Sequence, residues 1–464
     1  MRQCAKVFGP LLLVALSQIF VTGCGSTSSS SGTGAPGGSP SSNVLINLSD
    51  DPGDQVVSFT LTIDSISLLP QGGGQPVTVL SAPAQVEVTK LAGTSLALGM
   101  ATVPQGTYTG AEVVVSNPTV AILNADGSTT TQTLPPGPLT IEVTFDAPVT
   151  TGNSASAITF DLQVLGSIAI DANGNVTFTP DFRGNGGPAP SGAASPGQQA
   201  PTNSNLAHFQ GTVTGKGVNS FTITLGTQNL IITVNSSTRY KGVKDLSSLS
   251  SGMVVAVDGG VQPDGSVLAV TVTVLKQPKK FTLDGTISIV TGNPATQLTV
   301  ISRSSVGMDD APEIGSKVKF NVAGAQYSID NDDFSLAGLP FTPTFDSSNV
   351  FKGQLVQMSA TATANPSAPP TLTASGVELQ PQTVSGTPSN ENGGTFTLTL
   401  PHDSAFARLT GAGTVTVITT NQTDIDGANG VSALTSHSRV MARGFMFFDQ
   451  GQWKLVAIVV NVEK

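Results

Sequence analysis

The chain has 464 residues, a formal net charge of −10 and only 11% charged residues, which excludes the basic footprint of a nucleic-acid binder. Its two cysteines, Cys4 and Cys24, are too few for a disulfide framework. Abundant glycine (51) and proline (30) break the sequence into short alternating apolar runs, and no amphipathic helix longer than two turns stands out, so the expected fold class is all-β.

In chain order, Arg2 and Lys6 come first, followed by an apolar core over residues 7–20. That core is shorter than the roughly 20 apolar residues a spanning helix needs, and it has the form of an export signal. Val21-Thr22-Gly23-Cys24 follows and resembles a bacterial lipobox. The resemblance implies cleavage before Cys24, a diacylglycerol on its sulfur and an acyl chain on its amine. Residues 1–23 are then a signal peptide and residues 24–43 a lipidated tether rich in glycine and serine. Two or three acyl chains hold a protein on a membrane where one does not. Gly25, where an aspartate would favour inner-membrane retention, points to the outer membrane of a two-membrane cell. Cys4 leaves with the signal, so the mature chain keeps no free thiol.

Residues 44–183 carry 12 acidic residues against Lys90 and Arg183, whereas residues 206–464 are close to neutral. Alternation is clear in residues 139–145 (LTIEVTF), in Phe59, Leu61 and Ile63, and in Ala111, Val113 and Val115, each set expected to face inward. Asp126-Gly127 and Asn173-Gly174 are hairpin turns, as is Asp264-Gly265 further on. The runs VLINLSDDPGD, SFTLTIDSISLLP, VPQGTYTGAEVVV, AITFDLQVLGSIAID and FTPDFR resemble, in this order, domain of unknown function 4382 of bacterial lipoproteins. Ser49-Asp50-Asp51-Pro52 stands where that family often has Thr-Asp-Ala-Pro. The resemblance implies a β-sandwich, immunoglobulin- or transthyretin-like, and no established activity.

Residues 184–206 are uncharged and poor in apolar groups, which predicts a linker between two independent folding units. Beyond it the chain repeats. FQGTVTG returns as LDGTISI and VSGTPSN, each followed by an apolar strand, and MVVAVDGGVQPDGSVLAVTVTVL parallels RVMARGFMFFDQGQWKLVAIVVNV. Three units follow, at 207–277, 278–381 and 382–464, each expected to form a small OB-like β-barrel of five strands. The first resembles domain of unknown function 5666 over residues 208–275, the others more faintly. Val254, Ala256, Leu268 and Val270 are expected inside the first barrel, and Val440, Ala442, Val456 and Ile458 inside the last.

Chemistry is sparse. His208, His402 and His437 have no metal-ligand spacing to one another. His402-Asp403-Ser404 has triad residue types, but consecutive residues diverge, and the expectation is a polar turn with no catalytic residue. Oxygen-rich loops at 330–333 and 424–430 lack the closing glutamate of an EF-hand. Asp424, Asp426 and Asn429 are the better calcium candidates, with Asp50, Asp51 and Asp54 a third set; no metal and no cofactor are expected. Trp453, Phe445, Phe447 and Phe448 suit either a sugar-stacking surface or a core, and core packing is the expectation. The functional expectation is a non-enzymatic envelope lipoprotein, membrane-bound through Cys24, that displays β-domains to a protein or glycan partner and binds no nucleic acid. The alternative is an envelope hydrolase or carbohydrate-binding protein with a site on the barrel loops.

Overall fold

The computed structural model describes residues 40–464 apart from 52–55, 92–93, 125, 136, 172–174, 192–205, 277–280, 307–311, 332–333, 362–371, 429, 436–437 and 464. The signal segment, Cys24 and most of the tether lie outside the described residues.

The first module is a β-sandwich made from one long folded sheet. In one layer Val56–Pro70 pairs antiparallel with Gly106–Leu123, which pairs in turn with Leu139–Thr151. In the other, Ser41–Asp51 lies between Ser95–Pro104 and Ser156–Gln163. The expected inward sets are buried: Phe59, Leu61, Ile63, Ala111, Val113 and Val115 are all 0% exposed. They meet Val44, Ile46, Leu48 and Phe160 of the facing layer in one cluster. Phe145 meets Phe160 edge to face at 6.1 Å, joining the layers.

The expected linker begins later than its composition suggests. Phe182–Pro188 is a strand, paired antiparallel with Ser156–Gln163 and touching Leu139–Thr151 at Gly184 opposite Phe145. A Cβ on Gly184 would lie 2.4 Å from the Phe145 ring, and one on Gly186 would lie 2.2 Å from Val149. These glycines are required by what lies over them and do not mark a flexible tether. Of the expected linker, residues 192–205 lie outside the described residues.

Three barrels follow, as the repeats predict. The first contains Ala207–Lys216, Ser220–Leu225, Gln228–Thr233, Val254–Val261 and Val267–Lys276. Numbering these one to five, the pairing order is 1-2-3-5-4-1, closed by parallel pairing of Ile232 with Val267. The second runs from Phe281–Thr291 to Leu372–Leu379 and closes at Phe320 with Leu372; the third runs from Gln382–Asn392 to Gln452–Glu463 and closes at Val417 with Leu455. This is a five-stranded Greek-key barrel of the OB type. Each barrel adds a sixth short strand beside strand five: Arg239–Lys241, Gln326–Ile329 and Asp424–Asp426.

The repeated Gly-Thr opening has a steric cause. At Gly285 and Gly386 the second strand crosses so closely that a Cβ would sit 2.2 Å from the Ile301 carbonyl oxygen and 2.1 Å from that of Thr399. A side chain there would push the first two strands apart where the barrel coils most tightly. A bulge then recurs in strand five of all three barrels, where Val270, Ser375 and Ile458 are the extra residues opposite the steps Asp258–Gly259, Ser359–Ala360 and Arg443–Gly444 of strand four.

That bulge also shifts which residues face inward. In barrel 1 the core takes Val255, Val257, Val267, Ala269 and Val272, while Val254, Ala256, Leu268 and Val270 are half-buried on the opposite face. In barrel 3 Val440 and Ala442 point inward as expected, but Val456 and Ile458 face barrel 2, and Leu455 and Ala457 take the interior places. Period two gives the alternation but not its phase when both faces are apolar.

Both faces are apolar because the modules pack on one another, unlike a chain of separate units. Residues 40–464 form one compact unit. Leu45, Ala97 and Ala157 of the sandwich share a cluster with Phe209 and Val257 of barrel 1. Phe445 and Phe447 of barrel 3 join the cluster of barrel 2, against Phe334 at 6.3 Å and Phe341 at 5.6 Å. Val57 and Leu123, Ile301, and Leu409 tie the sandwich, barrel 2 and barrel 3 at one point.

Candidate functional site

The residues singled out in the sequence scatter. Ser404 is the N-cap of the helix Ala405–Thr410: its Oγ accepts from the Ala407 N–H at 3.0 Å. The His402 side chain is 99% exposed, with Nδ1 3.9 Å from Asp403 Oδ1. His402 and Asp403 lie in a turn just before that helix. Ser404→Ala should lower stability by about 1 kcal/mol through loss of the cap; an unchanged urea midpoint would show that the hydroxyl does no capping.

The calcium candidates do not assemble. Asp424 and Asp426 lie on the sixth strand of barrel 3, where Asp426 Oδ1 accepts from the Gly427 N–H, and Asn429 lies outside the described residues, as does Asp54. Asp330 pairs with Lys241. Among the described residues no three His, Cys, Asp or Glu side chains are grouped to hold a metal ion. The structure does bring two of the acidic sets together, since Asp50, Asp424 and Asp426 line one cleft of about 1010 Å³ between sandwich and barrels. Asp161 in this cleft is raised above the ordinary carboxylate range by burial, against hydrogen bonding from Ser49 and Gln163 and the charge of Arg183. Trp453 is core: it meets Phe406 at 5.0 Å and Phe448 at 5.0 Å and is 9% exposed.

A second cavity, of about 320 Å³, was not legible in the sequence. It lies where the three barrels and the sandwich meet. The residue before each opening glycine lines it in all three barrels: Gln210, Asp284 and Ser385. Ala256 and Gln357, the strand-four partners of the first two, line it as well. The repeats therefore present one equivalent outer face to a common space.

The sandwich closes this space with the 3-10 turn Val88–Lys90. Glu87, just before it, is locked by three donors, the Phe59 N–H at 3.0 Å, Ser58 Oγ at 3.1 Å and Thr89 Oγ1 at 2.6 Å, and stands 3.7 Å from Arg303 Nη2. Arg303 Nη2 donates to Thr89 Oγ1, and Arg443 Nη1 donates to the Lys90 carbonyl at 3.4 Å. Two guanidiniums from two barrels thus converge on consecutive residues of one turn. Lys90 pairs with Asp284, which also accepts from Ser304 Oγ and Gln357 Nε2 at 3.0 Å each. Burial would raise the Asp284 carboxyl, but Lys90 and these hydrogen bonds more than offset it and hold it below its ordinary range. Burial, and then the charge of Arg303, lower the Arg443 guanidinium to about 10, against the pull of Asp330. At neutral pH it stays charged.

An acidic β-sandwich joined to OB-type barrels is the class of protein these observations define. Residues 41–180 match the family model described as domain of unknown function (DUF4382), and residues 210–273 match domain of unknown function (DUF5666). The matched residues fall on the sandwich and on the first barrel, in agreement with the resemblances read from the sequence. No curated protein matches the chain. Among solved structures, it is similar to a Drosophila Unr fragment (CSD456), at 10% identity over 56% of this chain and 98% of the other, with a TM-score of 0.15. It is also similar to a multidomain protein with nucleic acid binding domains from Streptococcus pneumoniae TIGR4, at 8% identity over 55% and 72%, with a TM-score of 0.11. Neither likeness is close enough to bear on function.

Proposed function

We propose that this chain is a non-enzymatic, lipid-anchored protein of the cell envelope, whose sandwich and barrels act as one body that binds a partner or spaces it from the membrane. The packing of Phe445 and Phe447 into the cluster of a neighbouring barrel supports this most directly. A spacer must transmit position, and modules that share apolar cores do so better than modules on free linkers. The lipobox-like Val21-Thr22-Gly23-Cys24 and the glycine- and serine-rich residues behind it supply the anchor and the reach. The envelope, and the outer membrane where there are two, is the proposed location.

Cells labelled with a clickable palmitate test the anchor. Wild type should carry label and sediment with membranes, and Cys24→Ala should lose both. Equal labelling and sedimentation of the variant would remove the lipid anchor from this reading.

A further inference from the structure

We propose that the central cavity is a binding site for a small oxyanion, a carboxylate or a phosphate, held by Arg303 and Arg443. The inference goes beyond the anchoring and spacing role and does not depend on it.

Arg303 is 9% exposed, and its buried Nε–H has no acceptor among the described residues. An unpaired buried donor of this kind is costly, and the residue that carries it lines the cavity. Arg443 lines the same space and is held to the next residue of the same turn. Burial first, and then the charge of Arg303, lower the Arg443 guanidinium, and an anion beside the two groups would offset their mutual repulsion. Guanidinium groups also match the planar or tetrahedral oxygens of carboxylate and phosphate by paired hydrogen bonds.

Glu87 offsets the Arg303 charge from 3.7 Å but leaves its Nε–H without an acceptor, and the carboxylates that line the cavity are engaged by other groups. Asp284 is engaged by Lys90, Ser304 and Gln357, Asp258 by His208, and Asp330 shares its charge between Lys241 and Arg443. Glu378 accepts from Ser328 and Gln380 and is the wall carboxylate that opposes an incoming anion. A volume of about 320 Å³ admits a small molecule and no polymer. The equivalent positions of the three barrels supply polar walls, and the sandwich turn supplies the floor. The site therefore exists only when all four modules are docked.

Titration calorimetry on the full-length protein in detergent, at constant ionic strength, tests this with inorganic phosphate and, separately, citrate, against a chloride control. Saturable binding of at least one is expected; phosphate alone identifies a phosphate-type ligand and citrate alone a carboxylate. Arg443→Met should weaken binding at least tenfold and Arg443→Lys less. Gln210→Glu places a negative charge at an exposed position on the lip, so it should weaken binding severalfold with no change in melting temperature. Glu378→Gln should tighten it. If Arg443→Met does not fold, Gln210→Glu decides. Heats equal to those of chloride, or an affinity unchanged in folded Arg443→Met or in Gln210→Glu, would overturn the proposal.

Discussion

Phe445→Ala is expected to loosen barrel 2 as well as barrel 3, although the residue belongs to barrel 3. Its ring is fully buried in the cluster of barrel 2, with Phe334 at 6.3 Å. Removing a buried phenylalanine costs about 3–5 kcal/mol, part in lost transfer and part in the cavity left behind. The barrel 2 strands Phe281–Thr291 and Leu355–Thr361 are expected to share that loss because Leu283, Val356 and Met358 belong to the same cluster. Hydrogen exchange resolved by peptide measures it. Faster exchange in both of those strands, beside that in Arg439–Asp449, is the expected outcome. Acceleration confined to barrel 3 would show that the barrels are energetically separate despite their contact.

Lys90→Met should be nearly as damaging at neutral pH and much milder in acid. The substitution keeps the length of the side chain and removes the charge that compensates Asp284, whose side chain is 14% exposed. An uncompensated buried carboxylate costs about 3 kcal/mol. In the native protein the Asp284 carboxyl lies below its ordinary value. Its stabilising contribution is therefore full above the unfolded value of about 3.9 and is lost as the pH falls through the folded value. In the variant, burial acts without Lys90 and raises the carboxyl, so protonation relieves the penalty. Urea midpoints of variant and wild type should thus lie furthest apart at pH 7 and converge as the pH approaches 4. A gap that stays constant over that range would mean that the cost of the substitution is not the stranded charge.

Much of the local structure was legible in the sequence. Phe59, Leu61 and Ile63 alternate with polar residues and are buried. Asp264-Gly265 closes its hairpin, with the Gln262 N–H donating to Ser266 O at 2.8 Å and Gly265 at φ +82°. The Gly-Thr repeat marks three barrels because its glycine answers a contact in the next strand, with Thr224, Ile301 and Thr399 respectively. The reading faltered where composition stood in for contact. Gly184 and Gly186 read as tether, yet they lie under Phe145 and Val149 from a strand some forty residues earlier. The inward residues of barrel 1 were placed one position out of phase because its outer wall, with Val254, Ala256, Leu268 and Val270, is also apolar.

What the sequence by itself determined is the set of properties carried by neighbours along the chain: the strands, the turns and the repeat. What only the tertiary structure decided is the order in which modules meet and the cavity formed at their junction. Arg443 donates to the carbonyl of Lys90 across 353 positions, and Arg303 reaches Thr89 across 214. No periodicity spans such distances. An isolated arginine on a strand reads as a solvated surface charge, and it becomes part of a buried pair only when the faces of separate modules, apolar for the same reason on each, close over it.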